Sequence, residues 1–466
     1  HQNKVDYTNT FCHLMNFKIK EDDIYEGTDF SNWKKRWQER SLSHDNSVEK
    51  RKSLMRSANP LLIPRNHIVE NTLKEAGKGN LEPLINFLNI LNSPYNDQKD
   101  IYDYQIFSLQ KYGGISRYFF ELARNISKLK NSNNKVNIAS IYYINNYLQN
   151  SSENFKIHGK KINLNSLFGK ILTVPNRILS PCLISNLNPD ILHHTYYIDQ
   201  HNFLNFKGKR IITIHDLIDE KFPKKSFSSK TLRSFRAKAI KESDHIICIS
   251  KNTQKDLIDI FNITEEKTSV IYHGINISPK KTQKNPSKKK KYILYVGNRG
   301  GHKNFNKLLE AFSSNKLVNQ DYKLLAFGGG KFNNEETRLI KELNIPIKKI
   351  INLQGDDILL NSLYRSASLF VYPSIYEGFG MPPLEAMSND CPVACSNTSA
   401  IPEIVGDAAL LFDPLSKKSI SESIQLILFN SELSKKLVKK GREKIKNFTW
   451  EKCCMNTLKT YKKVLN

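Results

Sequence analysis

From Asp100 onward the chain alternates short apolar runs with stretches in which apolar residues recur every three or four positions. The runs have the length and the Ile, Val and Leu content of strands, and the stretches between them have the period of amphipathic helices. A first group of predicted strands comprises Val136–Tyr143, Asp190–His194, Arg210–Ile214, His245–Ile249 and Ser269–Tyr272. A second comprises Tyr292–Gly297, Lys323–Gly328, Ile350–Leu353, Leu369–Tyr372, Pro392–Cys395 and Ala409–Asp413. Between the groups, the lysine-rich stretch Pro279–Lys291, with Pro286 inside it, has the composition of a solvated linker. Strands that are apolar almost throughout, alternating with helices, imply parallel sheets covered on both faces. The class is therefore α/β. Two parallel-sheet domains, residues 100–278 and 292–448, are expected to face a cleft, with the linker 279–291 between them and a last helix in 449–466.

Residues 1–97 have a different texture, mostly helical and polar, with Trp33 and Trp37 one helical turn apart and so on one face. The run Asn59-Pro60-Leu61-Leu62-Ile63-Pro64-Arg65-Asn66-His67-Ile68-Val69-Glu70 leads into one helix, and a second is predicted over Leu81–Leu91, stopped at Pro94. No apolar run approaches the ~20 residues that span a bilayer. The most apolar loop-like stretch, Ile171–Leu187, is broken by Asn176, Arg177 and Pro181. The 7 cysteines form an odd set without framework spacing, which suits a reducing compartment. Cys391 and Cys395, in an apolar strand, read as buried structural thiols, and no metal site is assigned. No secretory signal is visible at the start, so a cytoplasmic location is expected, with peripheral contact on the inner membrane face.

A net charge of +26 points to anionic partners. The lysines and arginines are nevertheless spread along the chain, and no zinc-finger, aromatic RNA-binding or basic-zipper pattern accompanies them. A compositional bias with affinity for anionic membranes or phosphorylated substrates is expected, and no nucleic acid. Lys221–Lys241 combines Lys224, Lys225, Lys230, Arg233, Arg236 and Lys238 with Phe222, Phe227, Leu232 and Phe235. That mixture fits either a helix resting on anionic lipid heads or a solvated basic helix covering the sheet.

The most informative stretch is Tyr372-Pro373-Ser374-Ile375-Tyr376-Glu377-Gly378-Phe379-Gly380-Met381-Pro382-Pro383-Leu384-Glu385-Ala386-Met387. It follows an apolar strand, at the edge where open α/β sheets bind ligands. Gly378 and Gly380 permit close backbone approach, and Pro382 or Pro383 suits the first turn of a helix whose free N–H groups face the cleft. Glu377 before that turn and Glu385 within the helix can reach one ligand, and a carboxylate accepts hydrogen bonds from paired sugar hydroxyls. Tyr295-Val296-Gly297-Asn298-Arg299-Gly300-Gly301-His302-Lys303-Asn304 ends the second domain's first strand just before a helix. Cations there suit a diphosphate leaving group, on which charge builds as a glycosidic bond breaks. Tyr112-Gly113-Gly114-Ile115-Ser116-Arg117-Tyr118 opens another helix with a Gly-Gly corner. His215 and Asp216 close the strand Ile211–Ile214, where an imidazole can bond a sugar hydroxyl. His193-His194 is a weaker, acceptor-side candidate.

With these motifs in place, residues 101–466 resemble glycosyltransferase family 4, whose retaining enzymes carry the Glu-x7-Glu stretch on the GT-B fold of two Rossmann-like domains. By that resemblance Glu385 would hold the donor ribose and Glu377 would contact the donor sugar. The backbone around Gly378, Phe379 and Gly380 would lie near sugar and phosphates, and Lys303 with Arg299 would meet the diphosphate. Gly113 and Gly114 would approach the phosphates from the first domain, and His215 would touch the donor sugar. Gly328 and Gly329, in Phe327-Gly328-Gly329-Gly330, and Leu353, in Leu353-Gln354-Gly355, would lie beside the nucleotide. His273, where the family more often has Asn, reads as structural. Trp450 begins what resembles the family's last helix, crossing back to the first domain. The implied function is metal-free, retaining transfer of a hexose-like sugar from a UDP- or GDP-sugar to a glycan or lipid-linked hydroxyl, in bacterial surface polysaccharide synthesis. A catalytically idle basic protein on membranes or nucleic acid is the rival reading; the intact Glu377, Glu385, Lys303 and Gly-Gly set argues against it. Residues 1–97 resemble the C-terminal end of the selenoprotein O (YdiU-like) protein adenylyltransferases, through Asn-Pro…Arg-Asn-His…Glu and Ser93-Pro94-Tyr95-Asn96-Asp97. The nucleotide-binding body of that family is not in this sequence, so the segment is given no catalytic role. A gene fusion or assembly join is expected, dispensable for the fold that begins near Asp100.

Overall fold

The computed structural model describes positions 31–33, 35–36, 39, 66–78 and 84, and from Lys99 to Leu465 all but 130–134, 151–154, 165–169, 199–205, 224–226 and 277–288. Two compact units emerge, one of residues 1–99 with 129–135, the other of 100–128 with 136–466. In the first, helix α1 covers Asn66–Gly77, after the Pro-punctuated run. Trp33 is helical, whereas Trp37, the helix expected over Leu81–Leu91 apart from the helical Leu84, and the stretch Pro279–Lys288 lie outside the described residues.

The second unit holds two sheets. One has the order β3-β2-β1-β4-β5-β6-β7, with β1 Lys99–Asp103, β2 Lys135–Tyr143, β3 Lys156–Lys161, β4 Ile191–His194, β5 Lys209–Ile214, β6 His245–Cys248 and β7 Thr268–Val270. The other has the order β10-β9-β8-β11-β12-β13, with β8 Lys290–Val296, β9 Lys323–Phe327, β10 Ile350–Leu353, β11 Ala367–Tyr372, β12 Val393–Ser396 and β13 Leu410–Phe412. The pairings run parallel, for example Tyr102 opposite His193 and Tyr372 opposite Cys395. Strands β4, β6 and β12 are buried at every position, as expected of sheets covered on both faces. Two parallel-sheet, Rossmann-like domains are thus present, and each sheet reverses its order beside its first strand, which opens a crevice at the strand ends.

Three expectations need correction. Strand β3, Lys-Ile-His-Gly-Lys-Lys, is too polar for an apolar-run criterion because it lies at the sheet edge and half faces water. Lys290 and Lys291, assigned to the linker, begin β8 with exposed side chains before its five buried residues. The stretch around Ile171–Leu187 is a helix, Thr173–Leu187, that tolerates Pro181. Its buried Asn176 is a fastener: the side-chain amide donates to the Tyr142 carbonyl at 2.7 Å and accepts from the Tyr142 N–H at 3.0 Å.

Further helices position the site: α2 Gly114–Ile126, α3 Phe227–Glu242, α4 Lys251–Phe261, α5 Phe305–Ser314, α6 Met381–Ser388 and α7 Trp450–Leu465. Helix α7 leaves the second sheet and docks on the first domain, where Tyr461 meets His193 at 2.6 Å. Arg236 on α3 is buried, ion-paired to Asp219 at 3.3 Å and to Glu220, and lies over the Tyr197 ring. It therefore leaves the basic face expected to meet lipid; Phe222, Phe235, Lys230 and Lys238 remain exposed. Among the described residues no helix is long and apolar enough to cross a membrane.

Candidate functional site

The site gathers at the carboxyl ends of β5, β8 and β11. The turn after β11 carries Glu377, and its backbone N–H donates to Ser399 Oγ at 2.9 Å. Gly380, at φ 99°, is the left-handed cap from which α6 starts, with prolines in the first turn. Glu385 falls one turn further along that helix. The loop after β8 meets this turn through its backbone, since Ile375 N–H donates to the His302 carbonyl at 2.7 Å. Asn304, left-handed at φ 58°, caps α5 and donates from its side chain to the Pro373 and Pro414 carbonyls. So fixed, Lys303 places its ammonium 2.6 Å from a Glu377 carboxylate oxygen.

The first domain closes on this corner. Gly378 lies so near β5 that a Cβ there would overlap the His215 carbonyl oxygen. Thr253 Oγ1 donates to the Gly378 carbonyl at 3.2 Å. The His215 ring is buried and stacks on His273, with centroids 5.7 Å apart, and among the described residues its Nε2 has no hydrogen-bond partner. Burial first, then the neighbouring His273 and His193, hold His215 well below the ordinary histidine value, so it is neutral at pH 7. A neutral imidazole with one open nitrogen can bond a ligand hydroxyl. Asp216 is raised by burial, against the pull of Arg236.

Glu385 meets the first domain differently. Arg117 on α2 approaches it at 3.9 Å and Asp357 at 3.6 Å, and the Tyr364 hydroxyl donates to Glu385 at 3.3 Å. Burial raises the Glu385 carboxyl, Arg117 lowers it and Asp357 raises it further. Gly113 precedes α2 with extended backbone, and a side chain there would strike Gln110, which accepts the Ser116 N–H at 3.3 Å. Gly114 has open space at its Cβ.

Arg299 is engaged by its own domain. It is buried, its Nε donates to Glu336 at 2.7 Å, and its Nη atoms donate to the carbonyls of Gly328, Gly329, Gly330 and Lys331. The guanidinium is bound by Glu336 and shapes the glycine loop. Gly328 and Gly329 hold positive φ of 90° and 71°, and Leu353 joins them through its carbonyl, which accepts the Gly328 N–H at 2.9 Å. Phe379 points its ring into the core against His273 and Phe448, leaving its backbone to the turn.

Reading motifs misses several partners. Asp103, at the end of β1, is one: its carboxylate accepts from His194 Nδ1 at 2.7 Å and from the Thr195 N–H and hydroxyl. Burial would raise Asp103, but His194 and Thr195 outweigh it and hold it low. The strand-edge position was its signal. Arg117, one turn into the helix after Gly113-Gly114, was legible by the same spacing that places residues three and four apart on one face. Glu403 carried no motif, yet it accepts from Lys251 N–H, Asn252 N–H and the Tyr272 hydroxyl, at 2.8, 3.2 and 2.6 Å.

Residues 112–279 match the family described as Glycosyltransferase Family 4, and 277–444 match Glycosyl transferases group 1. The two matches join end to end across Tyr112–Lys444. That stretch is a family 4 glycosyltransferase. This glycosyltransferase is 29% identical over 276 residues to the O-antigen chain mannosyltransferase RfbU of Salmonella typhimurium, covering 55% of this chain and 76% of that one. Its fold matches the structure of Anabaena Alr3699/HepE in complex with UDP and glucose, with a TM-score of 0.60, 15% identity, and 78% and 98% of the two chains covered. A separate similarity of 43% over 94 residues joins the glycosyltransferase to the protein nucleotidyltransferase YdiU of Pelagibacter ubique, over 20% of each chain.

Proposed function

We propose that the enzyme moves a hexose-like sugar from a UDP- or GDP-sugar, with retention, to a hydroxyl of a glycan or lipid-linked acceptor in bacterial surface polysaccharide or lipopolysaccharide assembly. The observation that carries this reading is the turn at Gly378, where the Lys303 ammonium meets Glu377 and the His215 backbone of the first domain closes on the glycine. A donor sugar at that turn finds a carboxylate for its hydroxyls, a neutral imidazole with an open nitrogen and an ammonium for the departing diphosphate. Lys303 does not need to leave Glu377 fully: an ammonium has three donors and one contact uses one of them. On the same face, the leaving phosphate would receive the proton of the incoming hydroxyl, so no protein nucleophile is required. The likeness to an O-antigen mannosyltransferase supports the surface-polysaccharide setting.

Glu385 is assigned to the donor ribose. Paired hydrogen bonds to a charged carboxylate contribute about 1.5–3 kcal/mol. Glu385→Gln should weaken UDP or GDP binding about tenfold or more in calorimetry while the melting temperature holds; unchanged affinity removes the ribose assignment.

Lys303 and the N-termini of α2, α5 and α6 supply positive potential of the kind a divalent ion gives elsewhere. Among the described residues no group of three His, Cys, Asp or Glu is gathered for a metal. Turnover is expected to survive EDTA. Loss on chelation, restored by magnesium or manganese, would reject metal-free transfer.

A further inference from the structure

A cavity of about 160 Å³ opens at the carboxyl ends of β2 and β3, lined by Lys111, Ile144, Lys161, Ile162, Asn163 and Leu164. It belongs to the first domain and to the sheet edge that also carries His215, but it lies beyond β1, on the far side of the order reversal. Its size decides what it can take. Whole-ligand pockets run to about 300–1,000 Å³, so this one accommodates a single group rather than a substrate.

Its chemistry selects the group. Among the described residues the lining holds two lysines and no carboxylate. The Lys161 ammonium donates to Asn146 Oδ1 at 2.7 Å and to Gln149 Oε1 at 2.5 Å, both neutral amides, which aim it without cancelling its charge. Among the described residues neither Lys111 nor Lys161 has a carboxylate within ion-pair distance. The walls are pre-formed by backbone bonds. Asn146 N–H donates to the Lys111 carbonyl, Ile144 N–H to Phe107 and Ile162 N–H to Tyr143. An ammonium aimed by two amides, with a second lysine and Asn163 on the same walls, is a seat for a phosphate. Lys111 stands two residues before Gly113, so the seat shares its wall with the loop that opens α2.

We propose that this cavity holds a phosphate or diphosphate of the acceptor, and that the acceptor is therefore an anion anchored on the first domain while its hydroxyl reaches the cleft. The proposal rests on the glycosyltransferase reading for the word acceptor, but not for the site itself. Sodium pyrophosphate is titrated calorimetrically into the full chain saturated with UDP and GDP, which keeps the donor diphosphate site filled. One further binding event is expected, weakened at least tenfold by Lys161→Met and by Lys111→Met, with nucleotide affinity and acceptor-free donor hydrolysis unchanged. No such event, or one indifferent to both substitutions, overturns the proposal. Farnesyl diphosphate should displace the pyrophosphate. Displacement by phosphatidylglycerol vesicles alone rejects an acceptor seat in favour of a membrane contact. Absent donor hydrolysis in the unaltered enzyme would count against the transferase reading, while the pyrophosphate titration would still report on the cavity.

Discussion

Gly378→Ala should lower transferase turnover at least a hundredfold in a protein that still folds. The added methyl would overlap the His215 carbonyl oxygen, and neither backbone has room to yield locally. His215 follows directly on the buried end of β5. The Gly378 side is held by Glu377 N–H on Ser399, Ile375 N–H on His302 and the Gly378 carbonyl on Thr253. Relief therefore comes by pushing the two sheets apart, which separates His215 from Glu377 and Lys303. A misplacement of about 1 Å can cost about 10²-fold in rate. Gly380→Ala provides the contrast: its Cβ meets only Ile401 Cγ1, at 3.9 Å, but φ of 99° strains it, so its cost should fall mainly on stability. Steady-state kinetics beside circular dichroism and melting curves separate the two effects. A Gly378→Ala enzyme with ordinary turnover would show that the close approach of the sheets is not needed for transfer.

Acid should unfold the enzyme well before its carboxylates are titrated. Burial, with His194 lowering and Asp103 raising, leaves His193 at about 3; burial brings His273 to about 3 and His215 well below its usual value of 6.5. These groups have folded values below their unfolded ones. Their contribution is thus fully present above pH 6.5 and is lost as pH falls, because the unfolded chain takes up protons that the native core refuses. Each such histidine removes about 1.4 kcal/mol per pH unit, so three remove roughly 4 kcal/mol per unit below about pH 6. Asp216, Glu220 and Glu385, whose values are raised, take up protons while folded and offset part of this nearer to pH 5. The melting temperature should drop by roughly 3–4 °C between pH 6.5 and 5.5, and His273→Asn should make that slope shallower by about a third. A flat profile down to pH 5 would mean that these rings are not kept neutral by the fold.

The two-sheet architecture was legible because β4, β6, β8, β9, β11 and β12 are apolar for a physical reason, burial on both faces. The same criterion passed over β3, whose Lys-Ile-His-Gly-Lys-Lys faces water at the edge, and it read the Pro181 helix as broken because it ignored what Asn176 fastens. At the site, the Glu-Gly-Phe-Gly turn was legible since a left-handed cap and paired prolines leave a local mark. Arg299 illustrates the limit. A basic residue after a strand looks alike whether it faces a ligand or its own loop, and only the position of Glu336, 37 residues on, distinguishes the two. Asp103 had only its strand-edge position to mark it, with His194 91 residues away, and Glu403 was invisible because its partner lies 152 residues away.

Glu403 has a mechanical meaning. It fastens the start of α4, Tyr376 reaches Asp256 on the same helix, and the Ile275 N–H is bound by the Phe448 carbonyl where α7 turns back. These ties gather at the β6–β7 end of the first sheet, whereas Arg117 crosses near β1 with half-exposed ion pairs that are individually weak. The enzyme is bound like a book, with a stitched spine and a loose fore-edge. Movement of one sheet against the other then becomes rotation about the spine, and travel grows with distance from it. A few degrees at Glu403 are read out as the widest gap at Glu385, so that edge of the crevice swings while the geometry at Gly378 stays nearly still.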